Sequence, residues 1–437
     1  MTRDDRGTTG VGGALKGAPD ARSPGLAAEV PRRGPRRSLT ARCERWWAAE
    51  RSRTAEAHPR LARALVVTSR RPVPVLVVLA GLVGLVCGWW TPDADQARFR
   101  AAAELMLGPD FFDVFADPWI QVGPLFLLPL GALSLALGAL GLPDAGVTGA
   151  VAGAEAAFLV WLVLLVVRRA SREHAPLLAQ WVVGGVVVLG GLLAEVMLSD
   201  HPEELAVGLL LALAGLSATR GQAVAAGLLV AAATGLKQWG PLGGGVLLRA
   251  GSVGAVLRAV TACGVGVVLL YLPFRLFGQM STFELQWVVS EGSLVGRIAG
   301  GLDASGWTTR LVQGALAGVV GAAVAMRRHG SVLVVVICAI SVRLLLDPLR
   351  LTYYWMPLVV LLLVWAWTTQ VAVVRRWRPV ATACAPVAPI VPYLLPQGLW
   401  WAAGDMVTVA IPVLCLLAES RWLRGSWSLD DRAAVPG

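Results

Sequence analysis

Residues 73–90 read VPVLVVLAGLVGLVCGWW, running from Val73 to Trp90 without one charged side chain. An α-helix needs about 20 apolar residues to cross the hydrocarbon core of a bilayer, so this stretch is written as a transmembrane helix. Comparable runs follow at roughly 120–141, 147–168, 176–197, 203–219, 222–248, 253–273, 309–326, 331–346, 351–369, 380–398 and 403–419. Charged residues make up 15% of the chain, against about 25% in soluble domains. Period-two alternation is absent, which argues against a membrane β-barrel. The expectation is an all-α, polytopic integral membrane protein with about eleven to thirteen transmembrane helices.

The net charge of +10 is unevenly spread. Residues 1–71 hold sixteen Lys or Arg and seven Asp or Glu, and are rich in Pro, Gly, Ala and Ser. They read as a basic, largely disordered cytoplasmic tail, with an amphipathic stretch around Trp46–Leu65 suited to an anionic membrane surface. Nothing in the tail supplies base-reading architecture, so no nucleic-acid partner is expected. The apolar run at Pro72 begins too late for an ordinary cleaved signal peptide and reads as an uncleaved anchor. Residues 72–420 form the transmembrane domain, and 421–437 a cytoplasmic C-terminal tail. A bacterial plasma membrane with the N-terminus inside is the expected location.

Basic residues recur at Arg168–Arg172, Arg220, Arg249–Arg258, Arg327–Arg328, Arg375–Arg378 and Arg421–Arg424, and the positive-inside rule assigns these to the cytoplasmic side. Two places conflict with single crossings. Segment 222–248 has arginines at both ends, so a break at Lys237-Gln238-Trp239-Gly240-Pro241 would split it into a hairpin tipped outward. Two crossings at 120–141 and 147–168 would put Arg168 outside. Either one of those segments is re-entrant or the arginines break the rule.

The six cysteines show no paired spacing, so neither a disulfide framework nor a zinc site is predicted. Ionisable residues in or beside apolar segments are costly and therefore candidates for function. Asp93 and Asp95 open a helix expected to lie along the membrane surface; each can cap it, or serve as a carboxylate base that takes a proton from a hydroxyl. In Asp200-His201-Pro202-Glu203-Glu204, Pro202 and the two acids suit a helix N-terminus. His201 can donate to a phosphate or titrate. Its acidic neighbours leave a metal possible, though too few ligands are present to predict one. Lys237 is one of two lysines against thirty-six arginines. It either snorkels to the interface or pairs with a lipid phosphate. Arg343 and Asp347 can pair along one helix face. Arg350, Tyr353 and Tyr354 can hold a pyrophosphate or sugar, or form an interfacial belt. Glu155 stands apart, well inside a span.

These residues, in this order, resemble the C-type glycosyltransferase superfamily, and most closely the bacterial family 87 of polyprenol-phosphate-mannose-dependent mannosyltransferase-like proteins. The match runs through Asp95, Phe99, Ala101–Ala103, Gly108 and Gly123-Pro124-Leu125, then His201-Pro202-Glu203, Ala226-Gly227 through Lys237, and Asp347 to Tyr354. It spans roughly residues 73–420. The resemblance implies an external active site, a polyprenyl-phosphate-linked sugar donor, and Asp95 as general base with Asp93 in reserve. A phenylalanine, Phe99, stands where the family has tyrosine.

The reading is therefore a membrane glycosyltransferase moving mannose or arabinose to a cell-envelope lipid or glycan acceptor. Lys237, Arg343 or Arg350 and His201 would hold the leaving phosphate, with neither metal nor other cofactor required. Glu203, Asp347, Tyr353 and Tyr354 complete the expected substrate-binding set. The alternatives are a transporter or lipid flippase, which would put polar residues near the midplane, and a non-catalytic envelope-assembly protein.

Overall fold

A computed structural model of the chain describes residues 58–90, 94–171, 177–286, 288–298, 306–327 and 329–420, with positions 46, 48–50, 52–53 and 56 before them. Asp93, most of the basic tail and the C-terminal tail lie outside the described residues. The chain separates into units 1–65 and 66–437, and the second carries the apolar helices.

The described residues are helical, with one isolated β-bridge between Val122 and Lys237 and no strand. Six helices are long and apolar enough to cross a membrane, and four shorter apolar ones lie among them. The protein is an all-α polytopic membrane protein, as its hydropathy predicts.

After α1 (Pro59–Ser69), α2 (Pro72–Trp90) runs antiparallel to α5 (Asp144–Ala170). Small residues make their seam: Gly81 faces Gly153, Gly84 faces Ala152 and Ala156, and Gly88 faces Thr148 and Gly149. A Cβ on Gly88 would come within 2.7 Å of the Ala152 methyl, so the close approach depends on glycine. Without a hydrophobic drive between helices in lipid, such close packing is what holds spans together.

Between them, α3 (Ala94–Leu105) and α4 (Pro124–Ala139) stay at one end. The Gly123 N–H at the start of α4 donates to Leu236 O, and mid-helix Gly131 lies against Ala103 of α3. The far end of α4 leads in four residues to the start of α5, where Arg100 of α3 reaches Thr148. These contacts pack α4 against α3 and the start of α5, and its 16 residues are shorter than the six long apolar helices; α5 then carries the chain on to Arg168 and Arg169.

α6 (Leu177–Leu189) and α7 (Leu192–Leu198) form one span, bent at Gly190–Gly191. Gly191 is left-handed at φ 82, and Pro386 and Pro389 pack against the bend. α8 (Pro202–Ala218) is buried on nearly all sides. α9 (Ala223–Leu236) and a 3-10 helix over Gly240–Arg249 form the hairpin that the two flanking arginines required. Gly243 and Gly245 let the 3-10 arm approach Leu211 of α8 and the backbone of α12. α10 (Val253–Phe277) is the most lipid-exposed long helix. The short α11 (Leu294–Ile298) precedes α12 (Trp307–Met326), α13 (Val332–Leu345) and α14 (Met356–Thr368). α15 (Ala372–Cys384), α16 (Val391–Leu394) and α17 (Gln397–Ala418) complete the set.

The two ends of this bundle differ chemically. One gathers arginines: Arg220 donates to Arg169 O, while Arg249 donates to Gly330 O at 2.6 Å and to Ala325 O at 3.3 Å. The other carries Asp95, His201, Lys237 and Arg343.

Candidate functional site

The site begins at a reversal of the chain. Between α7 and α8, Asp200 adopts φ 54, a left-handed conformation that aspartate tolerates better than most residues. The chain turns within three residues and Pro202 starts α8. Glu203 and Glu204 fall in its first turn, where the partial positive charge of the helix N-terminus favours carboxylates. The break between α9 and the 3-10 helix brings Lys237 and Trp239 to the same level, and the last turn of α13 brings Arg343.

A continuous chain of contacts results. Asp95 Oδ2 lies 3.5 Å from His201 Nε2, and His201 Nδ1 lies 2.7 Å from Glu203 Oε1. Lys237 Nζ donates to Glu203 Oε1 at 2.6 Å and lies 2.9 Å from Glu204 Oε1. Arg343 grips both oxygens of Glu204, at 3.0 and 3.2 Å, and Trp239 Nε1 donates to Glu204 at 2.8 Å. The Arg343 guanidinium is held between aromatic faces, 4.4 Å from the Trp239 ring and 4.7 Å from that of Tyr354. Tyr353 stacks on the His201 imidazole at 4.2 Å, and Phe99 meets that ring edge-on at 5.7 Å.

Of the residues singled out in the sequence, Asp95, His201, Glu203, Lys237, Arg343, Tyr353 and Tyr354 thus meet at one site. Asp347 joins through another partner: it pairs with Arg310 at 2.8 Å, not with Arg343 along the helix. Arg310 also donates to Gln313, whose amide donates to Arg343 O. Arg350 belongs elsewhere. It is buried against Asp405 at 2.5 Å and over the Trp401 ring, and Asp405 also pairs with Arg297. Glu155 is half-buried on α5.

Glu204, Trp239, Arg310 and Asp405 escaped the sequence reading. Glu204 passed as a helix-start acid, and Arg310, in the first turn of α12, was not singled out. For Glu204, Arg310 and Asp405 the signal was a charge in a segment otherwise apolar.

Asp95 and His201 are coupled electrostatically. The hydrogen bond from His201 holds the Asp95 carboxyl below the ordinary aspartate range, against its partial burial, with His201, Arg98 and Lys237 adding positive charge. Burial opposes charging the His201 ring, and Lys237 does too. The Glu203 carboxylate and the bonds to Asp95 and Glu203 outweigh both, so its pKa lies above the usual histidine value. Asp95 is therefore ionised at neutral pH, and it is half-exposed, whereas Glu203 and Glu204 are sealed.

Beside Lys237 opens a cavity of about 300 Å³. Lys237, Arg310 and Arg343 line it, with Trp239, Trp307 and Tyr354 as aromatic walls. The carboxylates that pair with these cations are not among its described lining residues. The cavity wall therefore combines cationic and aromatic side chains. Among the described residues no group of three or more His, Cys, Asp or Glu is placed to hold a metal.

No family model matches the chain, and neither a curated protein nor a solved structure matches it.

Proposed function

We propose that the protein is a membrane glycosyltransferase that moves a sugar from a polyprenyl-phosphate carrier to a lipid or glycan acceptor. The observation that carries this reading is the cavity wall: three cations and three aromatic rings line it, while the carboxylates that pair with those cations are not among its lining residues. A sugar phosphate has the matching chemistry, an anionic group beside a ring with apolar faces. The half-exposed, ionised Asp95, linked to Lys237 through His201 and Glu203, supplies a base. The ordered resemblance to family 87 adds to this reading.

In the proposed reaction, Asp95 takes the proton of an acceptor hydroxyl as its oxygen bonds to the anomeric carbon of the donor. The bond from that carbon to the phosphate oxygen breaks, and its electron pair leaves with the polyprenyl phosphate. Arg343 and Arg310 stabilise the departing anion, and Lys237 adds a third positive charge. Assigning the arginine-rich end to the cytoplasm by the positive-inside rule makes this an external site. Mannose and arabinose carriers are the donors to try first.

The test is transfer of radiolabelled sugar from a decaprenyl-phosphate donor in membranes expressing wild type or Asp95→Asn. A product made by wild type and lost in the variant is expected. Equal product from both would remove Asp95 from the mechanism. Solute flux in proteoliposomes without any transfer would favour a transporter, for which the polar tip of the α9 hairpin would be the binding point.

A further inference from the structure

His201 has an acceptor on each side. Its Nδ1 lies 2.7 Å from Glu203 Oε1 and its Nε2 lies 3.5 Å from Asp95 Oδ2. An ionised carboxylate only accepts hydrogen bonds, so a ring that satisfies both must carry a proton on each nitrogen. The surroundings suit that imidazolium. Tyr353 stacks on it at 4.2 Å, Phe99 closes its edge, and the ring is 7% exposed. The charged and titratable groups facing it are Asp95 from α3, Glu203 from α8, Lys237 beyond α9 and Tyr353 before α14.

We propose that His201 is a positioning residue that, as an imidazolium, holds Asp95 oriented and ionised toward the acceptor, and that it acts on the base and not on the donor phosphate. This rests on the transferase reading. The asymmetry of the two contacts gives its pH dependence. When the ring loses one proton, the remaining one stays on Nδ1, at the shorter contact with Glu203. Nε2 then turns a lone pair toward the Asp95 carboxylate, and the donor that fixed it is lost. The charged ring predominates below its raised pKa and disappears as pH rises through it. Turnover should therefore fall on the alkaline side, with donor binding little changed.

The experiment uses the full chain reconstituted in lipid, with kcat and KM for a decaprenyl-phosphate sugar measured against pH for wild type and His201→Gln. Glutamine donates a hydrogen bond but does not titrate. The variant should lose about 100-fold in kcat, the scale of a misplaced catalytic group. It should keep donor KM within about twofold and lack the alkaline fall seen in wild type. An unchanged pH profile, or a loss confined to donor KM, would overturn the proposal.

A second measurement does not depend on turnover. Nitrogen-15 NMR of the histidine rings, with the His201 signal assigned by its absence in His201→Gln, follows the His201 titration in wild type and in Asp95→Asn. Losing the carboxylate should lower the pH at which the ring titrates. No change would overturn the pairing even if transfer is observed. A downward shift in a protein that transfers no sugar would keep the pairing and remove the transferase reading.

Discussion

The two ends of the bundle use charge in opposite ways. At the arginine-rich end, a charge typically meets backbone. Arg249 donates to the carbonyls of Ala325 and Gly330, and Arg378 to those of Ala366, Trp367 and Thr369. Glu419 accepts from the Ser331 N–H and the Trp365 indole. These contacts close helix ends that would otherwise leave polar groups unsatisfied. At the other end, charge meets charge: Asp95, Glu203, Glu204 and Asp347 interlock with His201, Lys237, Arg310 and Arg343. Buried ion pairs of this kind contribute little net stability, because desolvation offsets their attraction. A helix end can be closed with far less. Stability alone is thus a poor explanation of the ladder.

That contrast can be broken by experiment. Asp95→Asn should lower sugar transfer by about 10²- to 10⁴-fold, the range for losing a general base, while thermal unfolding in detergent stays within about 0.5 kcal/mol of wild type. Transfer at the wild-type rate would leave the ladder without a catalytic end. Glu204→Gln should instead act on stability. The carboxylate is fully buried and paired with Lys237 and Arg343, so removing its charge should cost about 3–5 kcal/mol, seen as a lower melting temperature. An unshifted melt would mean that the ladder is not held together as its geometry requires. Arg310→Gln removes one cation from the cavity wall and should raise donor KM about tenfold to a hundredfold, as expected for one charged hydrogen bond of about 1.5–3 kcal/mol. An unchanged KM would move the donor out of this cavity. At the opposite face Arg249→Gln should cost only about 1 kcal/mol and leave donor KM alone. A larger loss there would erase the distinction between the two ends.

Much of this architecture was legible in the sequence, for physical reasons that also set the limits. Hydropathy marked the six long apolar helices because lipid tolerates little else, whereas the run expected as a span at 380–398 divides among α15, a 3-10 turn over Ala385–Val387 and α16. The arginines flanking 222–248 required a break, and Lys237 to Pro241 was the place for it. Whether α4 crosses was not decidable, since a helix packed against Ala103 of α3 is as apolar as one that spans. The pairings were harder still. Glu204 and Arg343 stand 139 residues apart, and no local spacing joins them. The plausible local pair, Arg343 with Asp347, dissolves because α8 and α12 each offer a partner of better geometry. Arg350 looked like a site residue for the same reason that Arg343 did, as an arginine beside an apolar span, but its partner on α17 takes it away from the cavity.

The even count of acids and bases in the ladder has a consequence for how a donor arrives. With His201 charged as proposed, the four acids of the ladder balance its four cations, so the ladder itself sends little field past one Debye length, about 8 Å at physiological ionic strength. Long-range steering, which accelerates many encounters between charged molecules, has little to act through here. A lipid-borne phosphate would have to find the opening by lateral diffusion and would meet the arginines only on entry. Capture would then respond weakly to added salt, and the membrane's supply of carrier, more than attraction from the protein, would set the pace.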